Sequence, residues 1–152
     1  MSYYRQFSLE ELAGMEDEFV NYLVVNGITP EDWTAIKANE REKADGVLLS
    51  FSQVVWESIL RKAQYLDLYE SQAILAFYCG DKEIEMRGVQ TEDTSYDFTQ
   101  SASIERARTQ APQDLSTLHS KKPYDQVREH EIYQLIVRGA QPSDGKLFHS
   151  LS

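Results

Sequence analysis

Cysteine is nearly absent from this sequence, since Cys79 is the only one among 152 residues. One thiol cannot form a disulfide within the chain, and the Cys and His residues do not have the spacing of a zinc site. No apolar run approaches the roughly 20 residues that a membrane-spanning helix needs. The first residues also lack the basic stretch and apolar run of a secretory signal. We therefore expect a cytoplasmic protein with no metal, no cofactor and no membrane insertion.

Basic residues are also scarce, with 15 Lys and Arg against 25 Asp and Glu, which gives a net charge of −10. Residues 1–76 hold 13 acids and 6 bases (net −7), whereas residues 77–152 hold 12 acids and 9 bases (net −3). A negative field repels phosphate backbones and anionic membrane surfaces. The charge therefore predicts a protein partner of basic character and no direct contact with nucleic acid, and it leaves the oligomeric state open.

The sequence motifs of common enzymes are missing as well, including the glycine-rich phosphate loops and the G-x-S-x-G turn. The stretch "EHEIYQ" begins like the zinc motif H-E-x-x-H, with His130 and Glu131 in place. Gln134 replaces the second histidine, and glutamine is a poor zinc ligand. Cys79 has no neighbouring base or helix start that would activate its thiol. We therefore assign no catalytic, cofactor-binding or metal-binding residue, and we favour a protein that is not an enzyme.

Apolar residues make up 41% of the chain and aromatic residues 11%, which is typical of a folded protein. The length suits one domain spanning residues 1–152. We predict an α+β fold that is mainly helical, with three N-terminal helices, a β-hairpin and C-terminal helices. Residues 91–123 are rich in Ser, Thr, Gln and Asp, and we expect them to be loop-rich or partly flexible.

Three helix starts are predicted in the first half of the chain. Ser8-Leu-Glu-Glu11 is a capping box for a helix that should end near Val25. Thr29, followed by proline, caps a second helix. A third helix should extend over residues 42–66. Because apolar residues cover most of its circumference, we expect this third helix to be the central core element.

The first of these helices contains an anomalous acid, Glu16. Helical spacing places Leu9, Leu12, Phe19 and Leu23 on one face, and Glu16 projects from the middle of that face. A carboxylate in an apolar environment needs a partner or access to water. We therefore expect Glu16 to form a salt bridge or to lie at the rim of the core.

A change to two-residue spacing marks the predicted hairpin. Residues 71–80 and 81–90 predict two strands joined by a turn at Cys79–Lys82. Residues 91–100 could add a third short strand. Since an isolated hairpin is only marginally stable, it must pack on the helices or gain another strand.

Two further helices are expected after the hairpin. A short one around residues 103–111 is followed by loop as far as residue 123. A longer one over residues 124–139 ends at Gly139, which is suited to a helix C-terminus. The tail after it should add at most one or two helical turns.

Three segments together resemble a family of small acidic bacterial proteins, common in the Bacteroidota, that is known only as a domain of unknown function. They are "SLEELAGMEDEFVNYLVVNGITPEDWTAIKAN", "FSQVVWESILRKAQYLDL" and "IYQLIVRGAQPSDGKLF". The resemblance implies a stand-alone cytoplasmic protein of this length. It implies no activity and no functional residues, and residues 91–123 match the family least.

The functional hypothesis that fits these features is an acidic interaction protein, an adaptor or accessory subunit of a larger assembly. Tyrosines are enriched at binding hot spots, and the negative charge is concentrated in the first half of the chain. The candidate partner contacts are Tyr3, Tyr4, Glu10, Asp17, Glu18, Tyr65 and Tyr69.

Two alternatives remain open. The first is a small enzyme whose site combines scattered residues such as Glu16, His130 and Glu131. The second is a small-molecule-binding module with a pocket between the hairpin and the helices. An enzyme should have a deep cleft with convergent titratable groups, whereas an adaptor should have a broad apolar patch rimmed by charge.

Overall fold

The computed structural model describes residues 3–110 and 115–151. The chain forms two compact units, residues 1–59 and residues 60–152. A single domain over the whole chain therefore stays a prediction.

The first unit is helical. Its helices are α1 (Leu9–Ala13), α2 (Glu16–Val25), α3 (Pro30–Asn39) and α4 (Arg41–Lys62), the last of which continues into the second unit. The first predicted helix is therefore two helices, because α1 ends at Gly14 and α2 begins two residues later. Glycine has a low helix propensity, which favours a break at this position.

Both predicted capping signals are confirmed. The Glu11 N–H donates to Ser8 Oγ at 3.2 Å, and the Ser8 N–H donates to Glu11 Oε1 at 2.8 Å. The Arg5 guanidinium binds both Glu11 carboxylate oxygens at 2.9 Å. These hydrogen bonds lower the pKa of Glu11 to about 2, and the hydrogen bond from Arg5 makes the largest contribution. Thr29 forms the same kind of reciprocal cap with Asp32.

Helix α4 is the core element of the first unit, as predicted. Its Phe51 is buried, with ring centroids 5.0 Å from Phe19 and 5.4 Å from Tyr22. Further along α4, Trp56 stacks on Phe7 at 5.2 Å. The apolar residues of α4 are not all buried, however, since Val54 is 53% exposed.

The second unit is built on an antiparallel sheet of five strands in the order β4-β3-β2-β1-β5. The strands are β1 (Tyr65–Glu70), β2 (Ala73–Cys79), β3 (Glu83–Gln90), β4 (Ser116–Pro123) and β5 (Gln141–Ser143). The predicted hairpin corresponds to β2 and β3, and the α+β fold class is confirmed.

Three expectations for this sheet are wrong. Helix α4 ends at Lys62 and the chain enters β1, whereas the helix was predicted to reach Leu66. Residues 91–100 form turns and contain no strand. Instead the added strand is β4, in the stretch after the short helix where only loop was expected. It is an edge strand with exposed side chains, so its sequence lacks the apolar alternation of a buried strand.

Three helices flank the sheet. They are α5 (Ser101–Gln110), α6 (Arg128–Arg138) and α7 (Lys146–Ser150). Side chains of α5 and α7 pack around Ile74 on one face of the sheet. The α6 side chain of Leu135 lies beside Leu75 on the other face, since successive strand residues point to opposite sides. Gly139 ends α6 with a φ of +128°, as its predicted cap role requires.

Within the two described stretches of chain, no helix combines the length and apolar character that crossing a membrane requires.

Candidate functional sites

An apolar groove of about 390 Å³ lies between α2 and α4 in the first unit. Its floor contains Tyr22 and the buried Phe51, whose rings are in contact. Val25, which is 84% exposed, and Val54 stand at its edges. The other lining residues are Glu18, Asn21, Val55, Ser58 and Ile59. The groove therefore offers aromatic and aliphatic side chains to solvent with few polar groups among them.

The charge around this groove is acidic. Glu16, Asp17 and Glu18 form the first turn of α2, and all three are exposed. The first unit contains 11 acidic and 4 basic residues, a net charge of −7. None of the lining residues, all of which lie in the described part of the chain, is basic. An occupant of the groove would therefore meet an apolar floor and a negative field.

The candidate partner contacts lie in both units. Glu18 lines the groove, Asp17 is exposed beside it, and Glu10 is exposed on α1. Tyr3 is exposed, whereas Tyr4 is buried with its ring 6.3 Å from Trp56. Tyr65 and Tyr69 lie on β1 of the second unit, half-buried and exposed respectively. Contact of these residues with a partner stays a prediction.

Glu16 does not occupy an apolar face, contrary to the expectation from uninterrupted helical spacing. It is the first residue of α2 and is exposed. The break at Gly14 and Met15 interrupts the helical spacing on which that expectation was based, and Leu9, expected on the same apolar face, is 82% exposed. Glu16 is therefore open to solvent, and the expected salt bridge or position at the rim of the core stays a prediction.

The "EHEIYQ" stretch forms part of α6, and Glu131 has a structural contact there. Its carboxylate accepts the Asp125 N–H at 2.8 Å and lies 3.3 Å from Lys122 Nζ. This pairing ties the loop before α6 to the helix. Glu16 belongs to the first unit, and His130 and Glu131 belong to the second, so an enzyme site combining them stays a hypothesis. Over residues 3–110 and 115–151, no group of three or more His, Cys, Asp or Glu could hold a metal ion.

Cys79 lies at the end of β2 and is buried, with 3% of its surface exposed. Burial raises the pKa of its thiol to about 11, and the nearby positive charge of Arg128 opposes this shift only in part. The reactive thiolate is therefore rare at neutral pH. This environment is that of a packed side chain.

We expect Cys79 to react with Ellman's reagent at pH 8 at least about 100-fold more slowly in the folded chain than in urea. A pKa of about 11 lowers the thiolate fraction, and burial blocks access to the sulfur. The rate should rise with pH, because the thiolate forms only as pH approaches that pKa. Absorbance at the product wavelength measures the rate, and rapid reaction of the folded chain would contradict the burial.

An aromatic cluster lies on the sheet face beneath α7. The Tyr65 ring contacts Tyr78 at 5.3 Å, Phe148 at 5.7 Å and His149 at 5.5 Å. The guanidinium of Arg87 lies over the Phe148 ring at 4.1 Å. Tyr65 and Tyr78 are opposite each other in the β1–β2 register, and with Phe148 and His149 they pack α7 against the sheet.

Next to this cluster, a cavity of about 580 Å³ lies between β3, β4 and the end of α7. It is lined by Arg87, Gly88, Val89, Thr117, Leu118, His119, Ser150 and Leu151. His119 Nε2 lies 2.8 Å from the Glu85 carboxylate. This hydrogen bond makes the largest contribution to the lowered pKa of Glu85.

A second pocket of the sheet, of about 390 Å³, lies between the hairpin and α6. Its apolar floor includes Phe77 and Met86. The cations at its rim are already paired, Lys122 with Asp125 and Glu131, and Arg138 with Glu70. The rim therefore offers a ligand no uncompensated positive charge.

Fold and surface together define an α+β protein with a helical acidic unit and a sheet-based unit. The family of unknown function DUF6495 matches residues 1–152. The chain belongs to this family, which confirms the resemblance to a domain of unknown function. No curated protein and no solved structure matches the chain.

Sequence reasoning missed the cavity beside α7. Arg87 and His119 lie directly opposite each other in the β3–β4 register, although 31 residues separate them in the chain. With β4 predicted as loop, nothing in the sequence could pair these two residues. The basic and acid-free composition of residues 115–123 was the available signal that this stretch differs from the rest of the chain.

Proposed function

We propose that the chain is a non-catalytic, acidic interaction protein, an adaptor or accessory subunit that docks on a larger cytoplasmic assembly of a bacterial cell. The observation that supports this function is the open apolar groove between α2 and α4, set in the acidic first unit. Exposed apolar patches rimmed by polar residues are typical of protein–protein interaction sites.

The occupant that we propose for the groove is an amphipathic helix with basic residues on its flanks. A groove between two helices accepts the apolar face of a third helix through anchors spaced three, four and seven residues apart. Helix α2 is ten residues long, about 15 Å, which matches two to three turns of such a ligand. Tyr22 and Phe51 supply the aromatic floor that large apolar anchors need.

Charge complementarity determines which charge the residues beside the apolar anchors of the bound helix should have. Lysine or arginine beside the apolar anchors would face the first-turn acids of α2, Glu16, Asp17 and Glu18. Opposite charge across an interface accelerates association and disfavours wrong partners more than it adds affinity. A basic helix should therefore bind faster at low salt, and an acidic helix of the same apolar pattern should be rejected.

The test uses a fluorescent, designed amphipathic peptide of about 14 residues with leucine anchors and lysine flanks, followed by anisotropy. We expect saturable binding that Val54→Asp weakens at least about tenfold, because it places a carboxylate at the edge of the groove. The matched control is Val137→Asp on α6, which changes a valine of similar exposure (61% against 53%) in the second unit and should leave binding unchanged.

Two further results would contradict the proposal that the groove binds a basic amphipathic helix. One is equal binding of a peptide in which glutamate replaces every lysine, which would contradict the charge argument. The other is equal loss of binding in the Val54→Asp and Val137→Asp chains. If the groove is the binding site, a crosslinked pull-down from cells should recover the same partner with the wild-type and Val137→Asp chains. The Val54→Asp chain should fail to recover it.

A further inference from the structure

The cavity between β3, β4 and α7 lies in the second unit and is independent of the proposed docking groove. We propose that this cavity binds a small organic monocarboxylate, with Arg87 and Thr117 as the residues that hold its carboxylate and His119 beside them in the cavity wall. This ligand site goes beyond the interaction function proposed above.

Arg87 is held in place by contacts that leave part of its guanidinium available. Its Nη1 donates to the Phe148 carbonyl at 3.2 Å, and its plane lies over the Phe148 ring. Its Nε lies 3.6 Å from the Glu85 carboxylate. Among the described residues, Nη2 has no hydrogen-bond partner. A guanidinium that is already oriented loses little entropy when it binds a planar carboxylate.

The β3–β4 register places two more polar side chains beside Arg87. His119 is directly opposite Arg87, and Thr117 is opposite Val89, the next residue of β3 on the same face. Glu85 orients the His119 ring through its contact with Nε2. The Thr117 hydroxyl forms no hydrogen bond with any described residue. Arg87 Nη2 and the Thr117 hydroxyl are therefore two donors that line the same cavity, whereas a neutral His119 ring already donates its one N–H to Glu85.

The acids near Arg87 favour a ligand with a single negative charge. Glu83 and Glu85 lie on the same sheet face as Arg87 and Lys121, so these four charges balance. A monocarboxylate brings one negative charge near Glu85, whereas a dianionic phosphate would bring two and be repelled more strongly.

The size and remaining walls of the cavity indicate an organic body on the ligand. Its volume of about 580 Å³ is much larger than a carboxylate group, and it falls in the range of small-molecule sites. Val89 and Leu151 add apolar surface beside the polar groups. Benzoate is therefore a suitable first probe, because it combines one carboxylate with a compact apolar ring.

The experiment is a titration of the full chain with sodium benzoate, followed by amide NMR shifts. We expect saturable shifts at Val89, Thr117 and His119. Arg87→Lys keeps the positive charge but removes the planar fork, and Thr117→Val removes the hydroxyl at constant volume. Each should weaken benzoate binding by about tenfold, the usual effect of losing one hydrogen bond to a charged group.

The matched control is Lys121→Gln, which removes a charge from the same strand and face outside the cavity lining. It should weaken binding by less than about threefold, as expected for a surface charge. Spectra of all variants must match the wild type away from the cavity. Absence of saturable benzoate binding, equal affinity for inorganic phosphate, or an equal loss in Lys121→Gln would each overturn the proposal.

Discussion

Replacement of Arg128 by alanine is expected to lower the free energy of unfolding of the second unit by about 3–4 kcal/mol. This residue begins α6, and its guanidinium donates to four backbone carbonyls in the same unit. The acceptors are Leu60 at 2.9 Å, Ala63 at 2.5 Å, Cys79 at 3.2 Å and Gly80 at 3.0 Å. One side chain thus joins the end of α4, the hairpin turn and the start of α6.

The expected loss is large because alanine removes all of these hydrogen bonds at once, although the Gly80 carbonyl keeps the Tyr124 hydroxyl as a donor at 2.7 Å. An unsatisfied buried polar group costs more than an intact hydrogen bond contributes. Arg128→Lys should lie between the wild type and Arg128→Ala, because one ammonium cannot reach all four carbonyls with the geometry of the planar fork. Urea unfolding followed by far-UV circular dichroism measures the loss.

The control for Arg128 is Arg138→Ala at the other end of α6. Arg138 binds Glu70 at 2.6 Å and 3.0 Å, but both side chains are substantially exposed, and such pairs contribute about 0–1 kcal/mol. A loss in Arg128→Ala no larger than that in Arg138→Ala would contradict the structural role. Tryptophan fluorescence adds a second observation, since Trp33 and Trp56 both lie in the first unit. A shift of both signals together would support the predicted single domain.

The features that could be predicted from sequence are those specified by a few neighbouring residues. The caps at Ser8 and Thr29, the hairpin turn before β3 and the end of α6 at Gly139 each depend on local backbone chemistry. Such signals act within one helical turn or one tight turn. They also gave the fold class, because helices and a hairpin in one short chain define an α+β protein.

The features that were missed depend on contacts between distant residues. The helical spacing of apolar residues continues past the end of α4, through Leu60, Ala63 and Leu66. The sequence therefore predicts helix where β1 begins, and only the pairing of β1 with β2 identifies the strand. Strand β4 has no buried face of its own and is held by pairing with β3. The groove and the cavity follow from these packings, and neither has a sequence motif that predicts it.

Replacement of Phe98 by alanine is expected to lower the free energy of unfolding by about 3–5 kcal/mol, although Phe98 lies in a segment without helix or strand. Its side chain is fully buried in a cluster with Ile74 and Tyr96. Its backbone N–H donates to the Ser71 carbonyl at 2.8 Å, which fixes the loop against the turn between β1 and β2. The ring therefore fills the space between the sheet, α5 and α7, and alanine would leave a cavity there.

The change in the free energy of unfolding caused by that cavity shows whether the loop is anchored in the core or mobile. Phe98→Leu should cost much less than alanine, about 1 kcal/mol, because it retains most of the volume. Thr99→Ala changes the adjacent exposed residue and should cost less than about 1 kcal/mol, even though it removes a hydrogen bond to Asp97. Urea unfolding of the three variants gives the comparison. If Phe98→Ala were no more destabilising than Thr99→Ala, this loop would not be part of the core, and the sequence-based expectation of a partly flexible segment would describe it better.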